Sequence, residues 1–467
     1  MTTVDTITAE ISRYVVEQRE STLSTKAMHE ATRRVVDSLG CAIAARNAEP
    51  VRIARSLAEE ITSTRGASVL GQRAKSSVEL AAFTNAAAIR YLDCNDAYFT
   101  ALGGGGHPSD LIGGALAVAE MAGASGAQLL QAITLGYEIN GALASGVWLR
   151  QRGWDQGLNI IAATAAMAGS LLGLDSAQLE HAIALAVTPN VPVRQTRIGA
   201  LSMWKGLATA GAIRNGVFAA LLAERGITGP AEPYVGRSGL WELVTGEFEL
   251  SLPVHENSSV IEDTSLKMRP AEFNAQAAID LAVGLHGEVE FDDIANIDIA
   301  TYWLAWHEIG MDPDKWNPLN RETADHSLPY LFAVALADGR VDSDSCGPER
   351  LADPVLRAVL PRITVTEREE FTAAFPREFN VAVTITLHNG DVIERQARVP
   401  HGHPDDPASD AEVDAKYDVM TRGLTGDDRR IAADIRSAAW ALTDAPDLTG
   451  LTALLRSLDT SSTARTN

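Results

Sequence analysis

Between Tyr91 and Gly114 the chain reads YLDCNDAYFTALGGGGHPSDLIGG, which sets three carboxylates, one histidine and four consecutive glycines in a chain otherwise rich in Ala, Leu and Val. Carboxylates beside an imidazole are the materials of proton transfer. Glycine is poor inside helices, so Gly103 to Gly106 read as a break at which the chain turns sharply, and Pro108 restricts the backbone of His107 just after it. Asp93 and Asp96, three apart, share one face if the segment before the break is helical. A glycine-rich loop with a capping Asp and a solvated His fits the same residues, and what separates the two readings is the company this segment keeps.

That company is cationic. Ser202-Met203-Trp204-Lys205-Gly206 places a lysine at the start of an apolar helix, close after Arg194 and Arg197. A cation there opposes the helix dipole, which an anion bound between these groups would resolve, although a lysine reaching into solvent also fits. Ser265-Leu266-Lys267-Met268-Arg269-Pro270 adds two cations at a suspected domain junction, where ligand clefts often lie, with a solvated hinge as the alternative. Asp325 and His326 precede an apolar run and read first as a helix cap. Gly153-Trp154-Asp155-Gln156-Gly157 interrupts two helices and reads equally as a structural turn.

The elements that must position these residues are mostly helical. Ile7, Ile11 and Val15, then Ala31, Val35 and Leu39, recur at helical spacing. Val78 to Arg90, Leu111 to Ala122, Ala127 to Val147 and Ile160 to Leu172 are apolar on nearly all sides, as central helices of a large domain are. Asp175 to Ala186 and Trp204 to Arg225 continue the pattern. After about Leu266 the character changes. Ile294 to Ala305 is β-branched and aromatic, and Asn380 to Leu387, Asn389-Gly390 and Val392 to Val399 form a hairpin signature. Helical periodicity returns from Ala411, and only SSTARTN at the end reads as disordered. The expectation is a mainly α chain with an α+β part: a discontinuous helical domain over 1–265 and 411–467, and a smaller α+β domain over 266–410.

Composition narrows the function. A chain of 467 residues with 46% hydrophobic residues can bury a large core, and a formal charge of −22 argues against nucleic acid or anionic membrane as partners. It does not argue against an anionic small substrate at a locally basic site. No basic segment followed by an apolar run opens the chain and no run is long enough to span a bilayer, so it reads as cytosolic. Cys41, Cys94 and Cys346 are scattered, which makes a disulfide framework or an iron–sulfur cluster an unsuitable reading, and His401-Gly-His403 lacks a carboxylate–histidine pattern for a metal. Neither metal nor cofactor is expected.

Taken together, RYLDCNDAY with GHPSD, GYEINGAL, the RQTR…SMWKG run with IRNG, SLKMRPAEFNAQ, and ETADHSLPY with DGRV resemble the MmgE/PrpD family over nearly the whole chain. That family includes 2-methylcitrate dehydratases, cis-aconitate decarboxylases and iminodisuccinate epimerases, and LD-x-ND with HPSD is similar to the dehydratase branch. Ala97 stands where that branch often has Thr, and Gln156 where it has His. The resemblance implies a homodimer with a helical domain, an α+β lid and a metal-free active site in the cleft between them. It implies roles for Asp93, His107, Lys205 and Lys267, with Trp316 lining the pocket. The chemistry expected is a proton moved at carbon beside a carboxylate of a small polycarboxylate, by His107 oriented by Asp93. Lys205 and Lys267, with Arg197 and Arg269, would stabilise the developing charge, and His107 or Asp96 would protonate a leaving hydroxyl. Gln156 and His326 complete the expected substrate contacts. A decarboxylase, an epimerase, or an inactive binding or structural member are the alternatives.

Overall fold

The computed structural model describes residues 5–199, 201–253 and 259–458, so SSTARTN lies outside the described residues. Helices dominate, and two small sheets complete a mainly α chain with an α+β part. The largest core joins helices from Thr6–Gln18 to Ala208–Glu224 with residues of Asp410–Thr421, Gly426–Trp440 and Thr449–Ser457. Small residues let these helices approach closely. A Cβ on Gly113 would lie 2.4 Å from the backbone nitrogen of Ala86, so the helix Leu111–Ala122 can rest directly on Val78–Tyr91 only with glycine there. Among the described residues no helix is long and apolar enough to cross a membrane.

A second core gathers around a four-stranded sheet in the order Ile363–Glu367, Ile294–Thr301, Val381–Leu387, Val392–Ala397. The first pair is parallel, with Ile299 opposite Val365, and the others are antiparallel, with Ile299 also opposite Val383. Helices Gln276–Leu285 and Leu328–Asp338 cover one face. The β-rich run expected to reach Ala305 stops at Thr301, because Leu304, Ala305 and Ile309 bury themselves at helical spacing in Trp303–Ile309. Ile363–Glu367, which the sequence reading left out, carries a strand's alternation in the burial of Ile363 and Val365.

Two features tie the cores together. Asp96–Phe99 pairs on one side with Gly105–Gly106 and on the other with Ser265–Leu266, placing Asp96 opposite Leu266. Phe99, Phe273, Phe375 and Phe379 form an aromatic cluster there, with Phe99 5.1 Å from Phe273 and 5.0 Å from Phe379.

Candidate active site

Helix Val78–Tyr91 ends two residues before Asp93, whose φ of 53° is the one left-handed value at a non-glycine residue among those described. Strain of this kind persists only where the surroundings fix it. Here the fixing is electrostatic. Arg90 Nη1 lies 2.5 Å from Asp93 Oδ1, Lys205 Nζ donates to Oδ2 at 2.9 Å, and Lys267 Nζ donates to Oδ1 and, at 3.1 Å, to the Asp93 carbonyl. All four groups are at most 2% exposed. Burial alone would raise the Asp93 carboxyl, but Arg90, Lys205 and Lys267 outweigh it and hold it well below the usual range. Burial pulls Lys267 down, an effect Asp93 partly reverses.

The helix ends at Tyr91 and Asp96 opens a strand, so the helical condition under which Asp93 and Asp96 would share a face is not met. Asp96 instead accepts from Ser109 N at 3.1 Å, Ser109 Oγ at 2.6 Å and the Tyr137 hydroxyl at 2.7 Å, turned away from the cleft. The glycine run closes a tight return: Thr100 N donates to the Gly104 carbonyl at 2.7 Å, and a Cβ on Gly105 would fall 1.8 Å from the Tyr98 carbonyl oxygen. No side chain fits at that point. The return brings His107 back alongside the strand, where its Nδ1 lies 2.6 Å from the Asp96 carbonyl oxygen.

A carbonyl only accepts, so Nδ1 carries the proton and Nε2 is left with its lone pair. Burial, then the charges of Arg90 and Lys267, hold the imidazole well below its ordinary pKa, so the ring is neutral at pH 7. This corrects the expected partnership. The Asp93 carboxylate is taken up by three cations, and the main chain of Asp96 orients the ring. His326 is differently placed. Its Nδ1 lies 2.5 Å from Asp325 and its Nε2 3.5 Å from Asp93, so both nitrogens face carboxylates, and burial followed by Lys205 lowers it to about 4.

The cleft in front of this cluster is lined by six cations, Arg90, Arg150, Arg194, Arg197, Lys205 and Lys315, against three carboxylates, Asp93, Glu272 and Glu308. Lys267 behind the wall adds another positive charge, and Asp155 and Asp325 subtract two. In a chain of net charge −22 this is a concentrated positive site. Arg150 and Arg194 meet on Glu308 at 3.2 and 2.9 Å, and Arg197 grips Asp155 through two contacts, at 2.5 and 3.3 Å. Burial pushes the Glu272 carboxyl up to about 7, with Lys267 opposing. Its oxygens accept from Asn274 N at 2.6 Å and Asn274 Nδ2 at 2.7 Å, and the Tyr302 hydroxyl donates to Asn274 Oδ1.

Asp93, His107, Gln156, Arg197, Lys205 and His326 therefore share one cleft, with Lys267 bonded behind Asp93. The Gln156 carboxamide packs on Gly106, where a Cβ would lie 2.4 Å from its Oε1. Asp96, Arg269 and Trp316 stand outside the lining. Arg269 Nη1 donates to its neighbour Met268's carbonyl at 3.2 Å, and Trp316 Nε1 to the Ile363 carbonyl at 3.0 Å. Arg90, Glu272 and Lys315 were missed. Arg90 could have been found from its i, i+3 spacing to Asp93, and Glu272 from lying five residues beyond Lys267, whereas nothing local marks Lys315.

Comparison with known proteins identifies the family. Residues 9–253 match the model of the MmgE/PrpD N-terminal domain and residues 270–441 that of the MmgE/PrpD C-terminal domain. A mitochondrial 2-methylcitrate dehydratase of Yarrowia lipolytica is 29% identical over 425 residues, covering 85% of this chain and 80% of the relative. A 2-methylcitrate dehydratase of Cupriavidus necator is 30% identical over 426 residues, covering 85% and 86%. A cis-aconitate decarboxylase-like protein of Aspergillus oryzae is 23% identical, covering 96% and 97%. The chain is an enzyme of the lyase class and belongs to the MmgE/PrpD family.

Proposed function

We propose that the protein dehydrates a tricarboxylate of the 2-methylcitrate kind without a metal. The observation that carries this reading is a neutral His107 with Nε2 uncommitted, facing a cleft crowded with cations. His107 Nε2 takes the proton from carbon beside a substrate carboxylate. Lys205 and Arg197 stabilise the charge that develops on that carboxylate, the part a metal plays in other lyases. As the C–O bond at the adjacent carbon breaks, the protonated Glu272 gives its proton to the departing hydroxyl, leaving a C=C bond and water. Asp96 is turned away from the cleft, its oxygens accepting from Ser109 and Tyr137. Proton exchange with solvent resets His107 and Glu272.

The same base and cations would serve a decarboxylase, as the Aspergillus oryzae relative's name suggests, with the imidazole returning a proton to carbon after carbon dioxide leaves. Ala97, buried with Phe273 and Phe379, and Gln156 are the features that would suit an inactive member. One assay separates the three: purified protein with 2-methylcitrate, citrate and cis-aconitate in EDTA, followed by ultraviolet absorbance and carbon dioxide release. Growth of absorbance from 2-methylcitrate that survives EDTA is expected. Carbon dioxide from cis-aconitate would move the assignment to decarboxylation, loss restored only by added metal would end the metal-free mechanism, and no turnover of any acid would support a binding role. A cytosolic homodimer belongs to the same reading, and light scattering in solution tests its dimeric state.

A further inference from the structure

Most cleft cations come already matched with a carboxylate: Arg90, Lys205 and Lys267 with Asp93, Arg150 and Arg194 with Glu308, Arg197 with Asp155. Lys315 is different. It lines the cleft, is 5% exposed, and its side chain makes no ion pair or hydrogen bond among the described residues. Asp312, Asp325, Glu308 and Glu272 act on it only across a distance, and burial outweighs them, pulling the ammonium below its ordinary pKa. For a side chain this buried, an ammonium that meets no carboxylate among the described residues is costly to keep.

Its backbone, by contrast, is held firmly. Lys315 lies in the short turn Pro313–Trp316, where its N–H donates to the Asp312 carbonyl at 2.9 Å and its carbonyl accepts from the Ser327 hydroxyl. The neighbouring Trp316 pins the turn to the sheet through the Ile363 carbonyl at 3.0 Å. With Trp316 anchored in the second core, Lys315 is left in the lining of the cleft. We infer that Lys315 is a carboxylate-binding residue, left without a partner among the described residues and so free to take a substrate carboxylate in the cleft. It thereby selects tricarboxylates over dicarboxylates. This deepens the dehydratase reading and rests on it for the substrate class.

The test uses a ligand that cannot react. Tricarballylate carries three carboxylates with neither hydroxyl nor double bond, and glutarate and methylsuccinate each lack one of the three. Calorimetry should find tricarballylate bound by the wild type and about ten- to a hundredfold weaker with Lys315→Met, the loss of one charge-assisted contact. The preference over at least one dicarboxylate should shrink by the same factor. With turnover present, KM should rise by a similar factor while kcat changes less. Because the substitution removes an unpaired buried charge, the melting temperature of Lys315→Met should stay level or rise, which a structural lysine would not permit. Unchanged tricarballylate affinity in the variant overturns the inference, as does absence of binding to the wild type. Failure of both Lys315→Met and Lys315→Gln to fold overturns it too, by showing that the fold needs the charge. If tricarballylate binding depends on Lys315 but 2-methylcitrate is not turned over, the dehydratase reading fails and the carboxylate site stands.

Discussion

At the scale of single residues, the site separates groups that do chemistry from groups that hold them. In the proposed reaction His107 and Glu272 have opposite tasks: the imidazole is kept neutral by burial and by Arg90 and Lys267, while burial pushes the carboxyl up to about 7. If His107 must be neutral and Glu272 protonated, kcat/KM should hold from pH 7 down to pH 6, because His107 gains a proton only further down. It should fall as pH rises through about 7, where Glu272 ionises. Glu272→Gln should lower kcat by about two decades and abolish that upper limb, and His107→Gln should cost on the order of two to four decades. Retention of the alkaline limb in Glu272→Gln would assign the acid elsewhere. The lysines should divide similarly. Both are buried partners of Asp93, so Lys205→Met and Lys267→Met should each lower stability by denaturant titration. Lys205, which lines the cleft, should in addition lose about one to two decades of kcat/KM, whereas Lys267, behind Asp93, should lose less. A larger loss of kcat/KM in Lys267→Met than in Lys205→Met would contradict this division.

At the scale of elements, the segment proposed to be catalytic depends on a turn rather than on a helix. The return through Gly103 to Gly106 carries His107 to the Asp96 carbonyl, and the Tyr98 carbonyl oxygen leaves Gly105 no room for a side chain. Gly105→Ala should therefore destabilise the protein by at least about 1–3 kcal/mol and depress kcat through a displaced imidazole. Wild-type kcat in that variant would show that the turn does not set the position of His107. The strand Asp96–Phe99 works the same way from its other edge, because pairing Asp96 with Leu266 delivers Lys267 to Asp93 across more than 170 residues of chain.

At the scale of the molecule, a helix from the C-terminal part of the chain braces the candidate active site. Lys416, in the helix Asp410–Thr421, donates to Asp37 Oδ1 and to the Cys94 carbonyl, each at 2.5 Å, and so grips the residue next to Asp93 from beneath. Lys416→Met should lower stability by about 3–5 kcal/mol, read as an earlier unfolding midpoint, because Asp37 would be left buried without its partner. An unchanged midpoint would mean that the C-terminal helices are not needed to hold the catalytic segment. The change of hydrophobic core near residues 266 and 410 is the basis on which we propose domains over 1–265 with 411–467, and over 266–410.

Much was legible in the sequence, for local reasons. Helical periodicity, the Asn389-Gly390 hairpin and the run of small residues each report on neighbours a few positions away, which is why the mainly α architecture with its α+β part could be read directly. The resemblance and the cluster of His, Asp and Gly likewise drew attention to Asp93, His107, Lys205 and Lys267. What only the tertiary structure decided is which atom faces which. Asp93 proved to be the hub of three cations, two of them, Lys205 and Lys267, drawn from remote segments, Asp96 gave its carbonyl rather than its carboxylate, and Trp316 turned into the second core. Charge pairing across a fold depends on distances that spacing along the chain does not encode. Lys315 shows this most plainly, since its lack of a partner among the described residues appears only when the folded chain is in view.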